Sequence, residues 1–358
     1  MRKNPTPPPV SPPQRVRASL ADVARLAGVS LMTVSYALRN NPKISAATRD
    51  RVRRAARKVG YVPHPEIGRL MHLLRAKRMP SYQATLGFIS FSHDAHPATH
   101  RYTADVIAGA KDRALSLGYT VDLFDVDTAR LSQTRLTGML KSRGIRGVLI
   151  PPLPAMEDCA QLLDWAQFSV VAATYSAQNL IVNRVVPHHQ HNIMLALAQL
   201  AQNGYRRPGL VLTGNLVRRV NFAYQATLAL QQQLGEFAAI PALTLDSDHP
   251  AELAGTIEPW AKKFRPDVIL TAENSVQVIG ALLGPRFGTK IKVCLLDHSG
   301  SDARPGVHQH PRIIGETALD LLAGQVQRGE VGFEKNPRVT MVEGRWFAGG
   351  NDLKYETN

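Results

Sequence analysis

Residues 19 to 61 place apolar side chains at helical spacing three times in succession, with a stop signal after each run. Ser19, with Asp22 three residues on, has the form of a capping box. Leu20, Val23, Ala24 and Ala27 then make one apolar stripe before Gly28 supplies a turn. Ser30 caps a second helix in which Val34 and Leu38 pack inward while Leu31, Met32 and Tyr36 point away; Asn41-Pro42 ends it. Ser45 caps a third, with Val52, Ala55, Ala56 and Val59 facing a core and Arg49, Arg53, Arg54 and Arg57 keeping it soluble, and Gly60 stops it. Three short helices joined by one glycine turn and one Asn-Pro loop are the plan of a helix-turn-helix, whose second helix fits a DNA major groove.

Charge agrees with that plan. Residues 1 to 80 hold 17 Lys or Arg against 3 Asp or Glu, and residues 81 to 358 hold 26 against 25, so nearly all of the net +15 sits at one end. That is the footprint of a module that meets a polyanion, attached to a nearly neutral body with another task. Residues 1 to 17 carry six prolines and almost nothing apolar, which predicts a disordered tail. No apolar run reaches the roughly 18 residues that cross a bilayer, and the N-terminus lacks a signal-type apolar stretch. A cytoplasmic, nucleoid-associated protein without membrane contact is expected. Cys159 and Cys294, both in apolar surroundings, fit buried reduced thiols.

Val62-Pro63-His64-Pro65 leads into an amphipathic basic stretch with Ile67, Leu70, Met71 and Leu74 at helical spacing. After Thr85 the texture changes to eight β-rich runs, LGFISF, YTVDLFDV, RGVLIPP, SVVAATY, RPGLVLTG, ALTLD, DVILTA and IKVCLLD, interleaved with helical stretches such as 104 to 117, 131 to 143, 193 to 203 and 313 to 327. That alternation predicts parallel α/β sheets wound by βαβ units, and the length suits two such sheets with a cleft between them.

The run Leu20 to Ser35, then Ile44 to Arg49 and Gly60 to Pro63, resembles the lactose-repressor (LacI/GalR) family of bacterial transcription regulators. Val307 to Leu322 and Val342 to Gly349 are similar to that family's closing signature, so the likeness spans nearly all of Leu20 to Gly349. It implies a small all-α helix-turn-helix DNA-binding domain plus an α/β two-lobed core of parallel sheets, like periplasmic binding proteins, in a homodimer. The expected divisions are a tail at 1–17, the DNA-binding domain at 18–63, a hinge helix and linker at 64–84, the core at 85–350 and a tail at 351–358. Within the core, one lobe takes about 85–186 and 311–335, the other about 187–310 and 336–350.

By the same resemblance, Leu31, Met32 and Tyr36 read bases, while Ser30, Thr33, Ser35, Ser45 and Thr48 hold phosphate; Lys43 completes this set and Leu70 is the minor-groove wedge of the hinge. Tyr36 stands where family members often have arginine, which shifts readout toward thymine methyls and one phenol. In the core, the resemblance assigns Arg218, Asn274, Asp297 and Gln309 to a sugar or polyol-like effector. Asn221 replaces the glycine of the family's R-x-x-G-F motif, Ser275 replaces an aspartate, and Pro187-His188-His189 replaces an acidic position. Neither a cofactor nor a metal is expected, because His188, His189 and His191 lack further ligands at metal spacing. No phosphate loop, H-E-x-x-H or G-x-S-x-G occurs, so no catalytic residue is assigned. The reading is a ligand-responsive repressor binding double-stranded DNA; the alternative is an α/β sugar-processing enzyme or sugar-binding protein carrying a DNA anchor.

Overall fold

The structure is a computed structural model that describes residues 19–38, 44–61, 84–91, 97–126, 132–246, 250–272, 291–298, 300 and 303–349. The chain divides near Met79 into two compact units. The first holds α1 (Leu20–Ala27), α2 (Leu31–Leu38) and α3 (Ala46–Lys58). Its core is Val23, Ala24, Ala27, Val34, Ala37, Val52, Ala55 and Ala56, with Leu20, Leu38 and Val59 packed at the edge. Both halves of the capping box at Ser19 and Asp22 are formed, and hydrogen bonds from the Ser19 backbone and hydroxyl hold the Asp22 carboxyl below its ordinary range. Gly28 ends α1 in the left-handed region at φ 63, where its N–H closes on the last carbonyls of the helix.

The second unit contains two six-stranded sheets. In chain order the strands are β1 (Ala84–Ser90), β2 (Tyr119–Asp125), β3 (Gly147–Ile150), β4 (Glu157–Asp158), β5 (Ser169–Ala172), β6 (Ala177–Gln178), β7 (Asn183–Pro187), β8 (Pro208–Thr213), β9 (Leu243–Leu245), β10 (Val268–Thr271), β11 (Lys292–His298), β12 (Gly306–His308), β13 (Val339–Val342) and β14 (Arg345–Phe347). The helices are α4 (Pro97–Ser116), α5 (Gln133–Ser142), α6 (His189–Gln202), α7 (Gly214–Arg219), α8 (Ala223–Gln233), α9 (Pro250–Phe264) and α10 (Pro311–Arg328).

The first sheet runs β13-β7-β5-β3-β1-β2, all parallel. The second runs β14-β12-β11-β10-β8-β9 and is parallel except for β12 with β14. Central strands β3, β5 and β10 are buried at every residue, as continuous apolar runs covered on both faces require.

Three crossings join the lobes. The chain passes from β7 through His188 into α6, from β12 through Gln309-His310 into α10, and from β13 through Glu343-Gly344 into β14. The last of these corrects the expected division, since β13 pairs with β7 in the first sheet, Val339 opposite Arg184. Residues 339–342 therefore belong to the first lobe, and the crossing falls after Val342. The crossings are tied together: His188 N–H donates to Val342 O at 2.8 Å, and Gly344 N–H to Asn192 Oδ1 at 2.9 Å.

Candidate functional site

In the DNA-reading domain the caps arm two helix N-termini. Ser30 Oγ accepts the Thr33 N–H at 3.1 Å and lies 2.9 Å from Thr33 Oγ1; Ser45 Oγ accepts the Thr48 N–H at 3.3 Å and donates to Thr48 Oγ1 at 3.0 Å. Both helix starts carry the positive end of a peptide dipole and hydroxyls suited to phosphate. Leu31, an apolar residue in the first turn of α2, is 55% exposed, while Val34 and Ala37 of the same helix are fully buried. Tyr36 is half-buried, and Met32 and Ser35 lie on the same helix. Lys43 and Leu70 lie outside the described residues, as does the hinge from residue 64 to 83.

In the core, a cleft of about 80 Å³ opens between the lobes. Its floor comes from the carboxyl ends of strands in both sheets, where open α/β sheets bind ligands. Pro152 follows β3, Thr174 and Tyr175 follow β5, and Pro187 ends β7 on one side; Ala272 follows β10, Leu296 and Asp297 lie near the end of β11, and Gln309 follows β12 on the other. Tyr102 of α4 and Tyr224 of α8 complete the aromatic part of the wall.

Two of the expected effector residues, Asp297 and Gln309, are brought together here. Asn274 lies outside the described residues. Arg218 is a correction, because it is exposed on α7 and the cleft is lined instead by its neighbour Arg219. The reason is helical phase. Leu216 and Arg219, three apart, share one face of α7 toward the cleft, Val217 and Val220 enter the core, and Arg218 is turned about 100° from Arg219. Reading the apolar phase of residues 216 to 220, rather than the motif alone, would have chosen Arg219. Asn221 and Phe222 both take positive φ, at 52° and 59°.

Polar contacts order part of the wall. Gln309 Nε2 donates to Leu296 O at 2.6 Å and to Tyr224 Oη at 3.0 Å, and His189 Nδ1 sits 3.2 Å from the same phenol. Burial raises the phenol pKa of both Tyr102 and Tyr224. Burial, then the charges of Arg219 and His188, push His189 down to about 3, so that its imidazole is neutral. His188 and His191 do not line the cleft. Among the described residues, no group of three or more His, Cys, Asp or Glu could hold a metal.

A second neutral imidazole lies at the middle crossing. Burial, with His310, His298 and Arg345 nearby, lowers His308 to about 4, and its ring meets that of His310 edge-on at 4.8 Å. His189 and His308 ordinarily titrate at 6.5, so between that value and about 4 the unfolded chain binds protons that the folded chain refuses, and the lowered His310 acts in the same direction. Stability should be fully present above pH 6.5 and fall as pH drops below it. The melting temperature at about pH 5 is expected to lie several degrees below that at about pH 7.5, and His308→Gln should narrow the gap. A pH-flat melting temperature in the wild type would contradict these assignments.

A helix-turn-helix module in one chain with a two-lobed, cleft-bearing α/β core defines a DNA-binding transcription regulator. Residues 19–64 match the family model described as bacterial regulatory proteins, lacI family. The chain is 28% identical over 267 residues to the sucrose operon repressor of Escherichia coli, covering 70% of this chain and 73% of that protein. It is 21% identical to the HTH-type transcriptional repressor PurR of Vibrio atlanticus (strain LGP32), covering 87% and 92%. A crystal structure of the lac repressor dimer bound to operator and the anti-inducer ONPF shares the fold, with a TM-score of 0.55 at 20% identity over 93% of this chain and 98% of that one. Residues 19–64 thus form a lacI-family DNA-binding domain, and the chain is similar over most of its length to transcriptional repressors of that family. No described helix is long and apolar enough to cross a membrane.

Proposed function

We propose that the chain binds a pseudo-palindromic operator as a homodimer in the cytoplasm, on the nucleoid, and that a small polar effector in the interlobe cleft sets its operator affinity. The observation that carries this is the cleft itself, lined from both lobes in the same chain as the DNA-reading helix. A ligand held by both lobes favours one lobe arrangement over another, which is what a population shift requires. In this reading Ser30, Thr33, Ser35, Lys43, Ser45 and Thr48 hold phosphate, and Leu31, Met32 and Tyr36 meet base edges. Leu70 wedges the minor groove at the dyad, and Asp297, Gln309, Asn274 and Arg219 contact the effector. The resemblance points to a sugar or polyol, and one relative is a sucrose operon repressor.

Sedimentation of the full chain on a duplex carrying an inverted repeat tests the assembly. Two chains per duplex are expected, with affinity falling sharply when one half-site is scrambled. Binding of one chain per duplex, indifferent to the second half-site, would overturn the dimer reading.

A further inference from the structure

The cleft's polar groups are unevenly satisfied. Gln309 and Tyr224 bond each other and the Leu296 carbonyl, and Thr174 Oγ1 lies 2.6 Å from Ser176 Oγ. Two groups differ: the Nε of Arg219 and the phenol oxygen of Tyr102 are both shielded from solvent and have no hydrogen-bond partner. Among the described residues, Arg219 makes no ion pair, and the wall around it is mainly apolar: Pro152, Val186, Leu216, Val220, Leu296 and Pro311. A guanidinium without a direct ion pair in such surroundings, with the charge of Asp297 acting only from farther off, is destabilising unless something occupies the space beside it.

A polyhydroxylated ring would need free donors and acceptors around its whole rim, and three of the wall's polar groups, Gln309, Tyr224 and Thr174, already have protein partners. A single anionic headgroup needs only a fork of N–H donors and one hydroxyl, with an apolar remainder against the prolines and aliphatic side chains. The space is small as well. At about 80 Å³ it is well below the roughly 150 Å³ cavity that holds a benzene, so a short chain fits before a disaccharide does.

We propose that the effector is a small organic carboxylate, its headgroup received by Arg219 and Tyr102 and its apolar part held between the lobes. The inference rests on the cleft being the effector site and names the chemistry that site selects. Burial weakens the hold of Arg219 on its proton, and the nearby Tyr102 and Asp297 oppose that effect. Asp297 lines the same wall, where it suits a donor group on the ligand.

Thermal melting of the full chain against matched pairs tests this: propionate and butyrate, their amides propionamide and butyramide, and sucrose, at constant ionic strength. The carboxylates should raise the melting temperature, by about 5 °C at a hundredfold excess over Kd, and the amides and sucrose should not. Arg219→Gln should weaken carboxylate binding about 30-fold or more while raising the melting temperature of the unliganded protein, and Arg218→Gln should leave the response intact. No shift from either carboxylate, an equal shift from the amides, or a lower unliganded melting temperature in Arg219→Gln overturns the carboxylate assignment. The cleft reading fails separately if stabilisation by a compound of any class survives Leu216→Trp, which fills the site.

Discussion

Gly315→Ala is expected to destabilise the core by roughly 3 kcal/mol or more, although glycine-to-alanine changes inside helices ordinarily stabilise by about 1 kcal/mol. The sign is reversed by a close helix crossing. A Cβ at Gly315 of α10 would sit 1.9 Å from Val106 O of α4, and one at Gly109 of α4 would sit 2.1 Å from Arg312 O. Backbone cannot swing aside as a side chain would, so the two helices must separate. Ion pairs flank the contact, Arg113 with Asp320 at 2.7 Å and Arg312 with Asp112, and Ile314, Ala318 and Leu319 pack beside it against Val106 and Ala110. One displacement makes room for both methyl groups, so Gly109→Ala with Gly315→Ala should cost clearly less than the sum of the two.

Denaturant titration at unchanged m-value measures this, and stabilisation by either single change would contradict the crossing geometry. The consequence reaches the cleft. α4 carries Tyr102, α10 begins with Pro311, and both residues line it, so a separated crossing should also weaken any ligand held there.

Local signals made the DNA-reading domain legible. Ser19, Asp22, Gly28, Ser30 and Ser45 each act within a few residues of their own position, which is the range over which sequence alone specifies geometry. The exception is Ala37. It is fully buried while Leu38 is only partly so, because residues 34, 37 and 38 share a face of α2. In the core, the eight apolar runs all became strands, but, besides the two-residue β4 and β6, the strands β7, β12, β13 and β14 were not read.

The sequence NRVVP carries an arginine and ends in proline, and the other three strands are three or four residues long, with β13 largely exposed; only tertiary pairing makes them strands. The cleft was legible where a motif sat next to its ligand-facing residue, at Asp297 and Gln309. It was illegible where the wall comes from distant segments: Tyr102, Tyr175 and Tyr224 carry no mutual spacing, and only the fold brings them together.

Leu31→Ala should cut operator affinity about tenfold, and Leu31→Ala with Tyr36→Ala about a hundredfold, with little change in binding to unrelated DNA. The exposed Leu31 contributes almost nothing to the domain's own core, so its removal should leave stability within about 0.5 kcal/mol. A loss of operator affinity therefore reports contact with DNA rather than unfolding. Phosphate-holding groups behave differently. Ser30 and Ser45 cap helices, so Ser→Ala at either lowers stability by about 1 kcal/mol and weakens specific and non-specific binding together.

The most direct test of a sequence-specific, two-fold DNA reader is selection of bound duplexes from a random pool by the full chain, followed by salt titration of the enriched site with wild type and Leu31→Ala. The account predicts an inverted repeat, affinity falling steeply with salt at a slope of about 0.9 per phosphate contacted, and a variant that keeps the salt slope while losing the preference. A pool without an enriched repeat, salt-insensitive binding, or a Leu31→Ala protein that binds the selected site as tightly as wild type would contradict it.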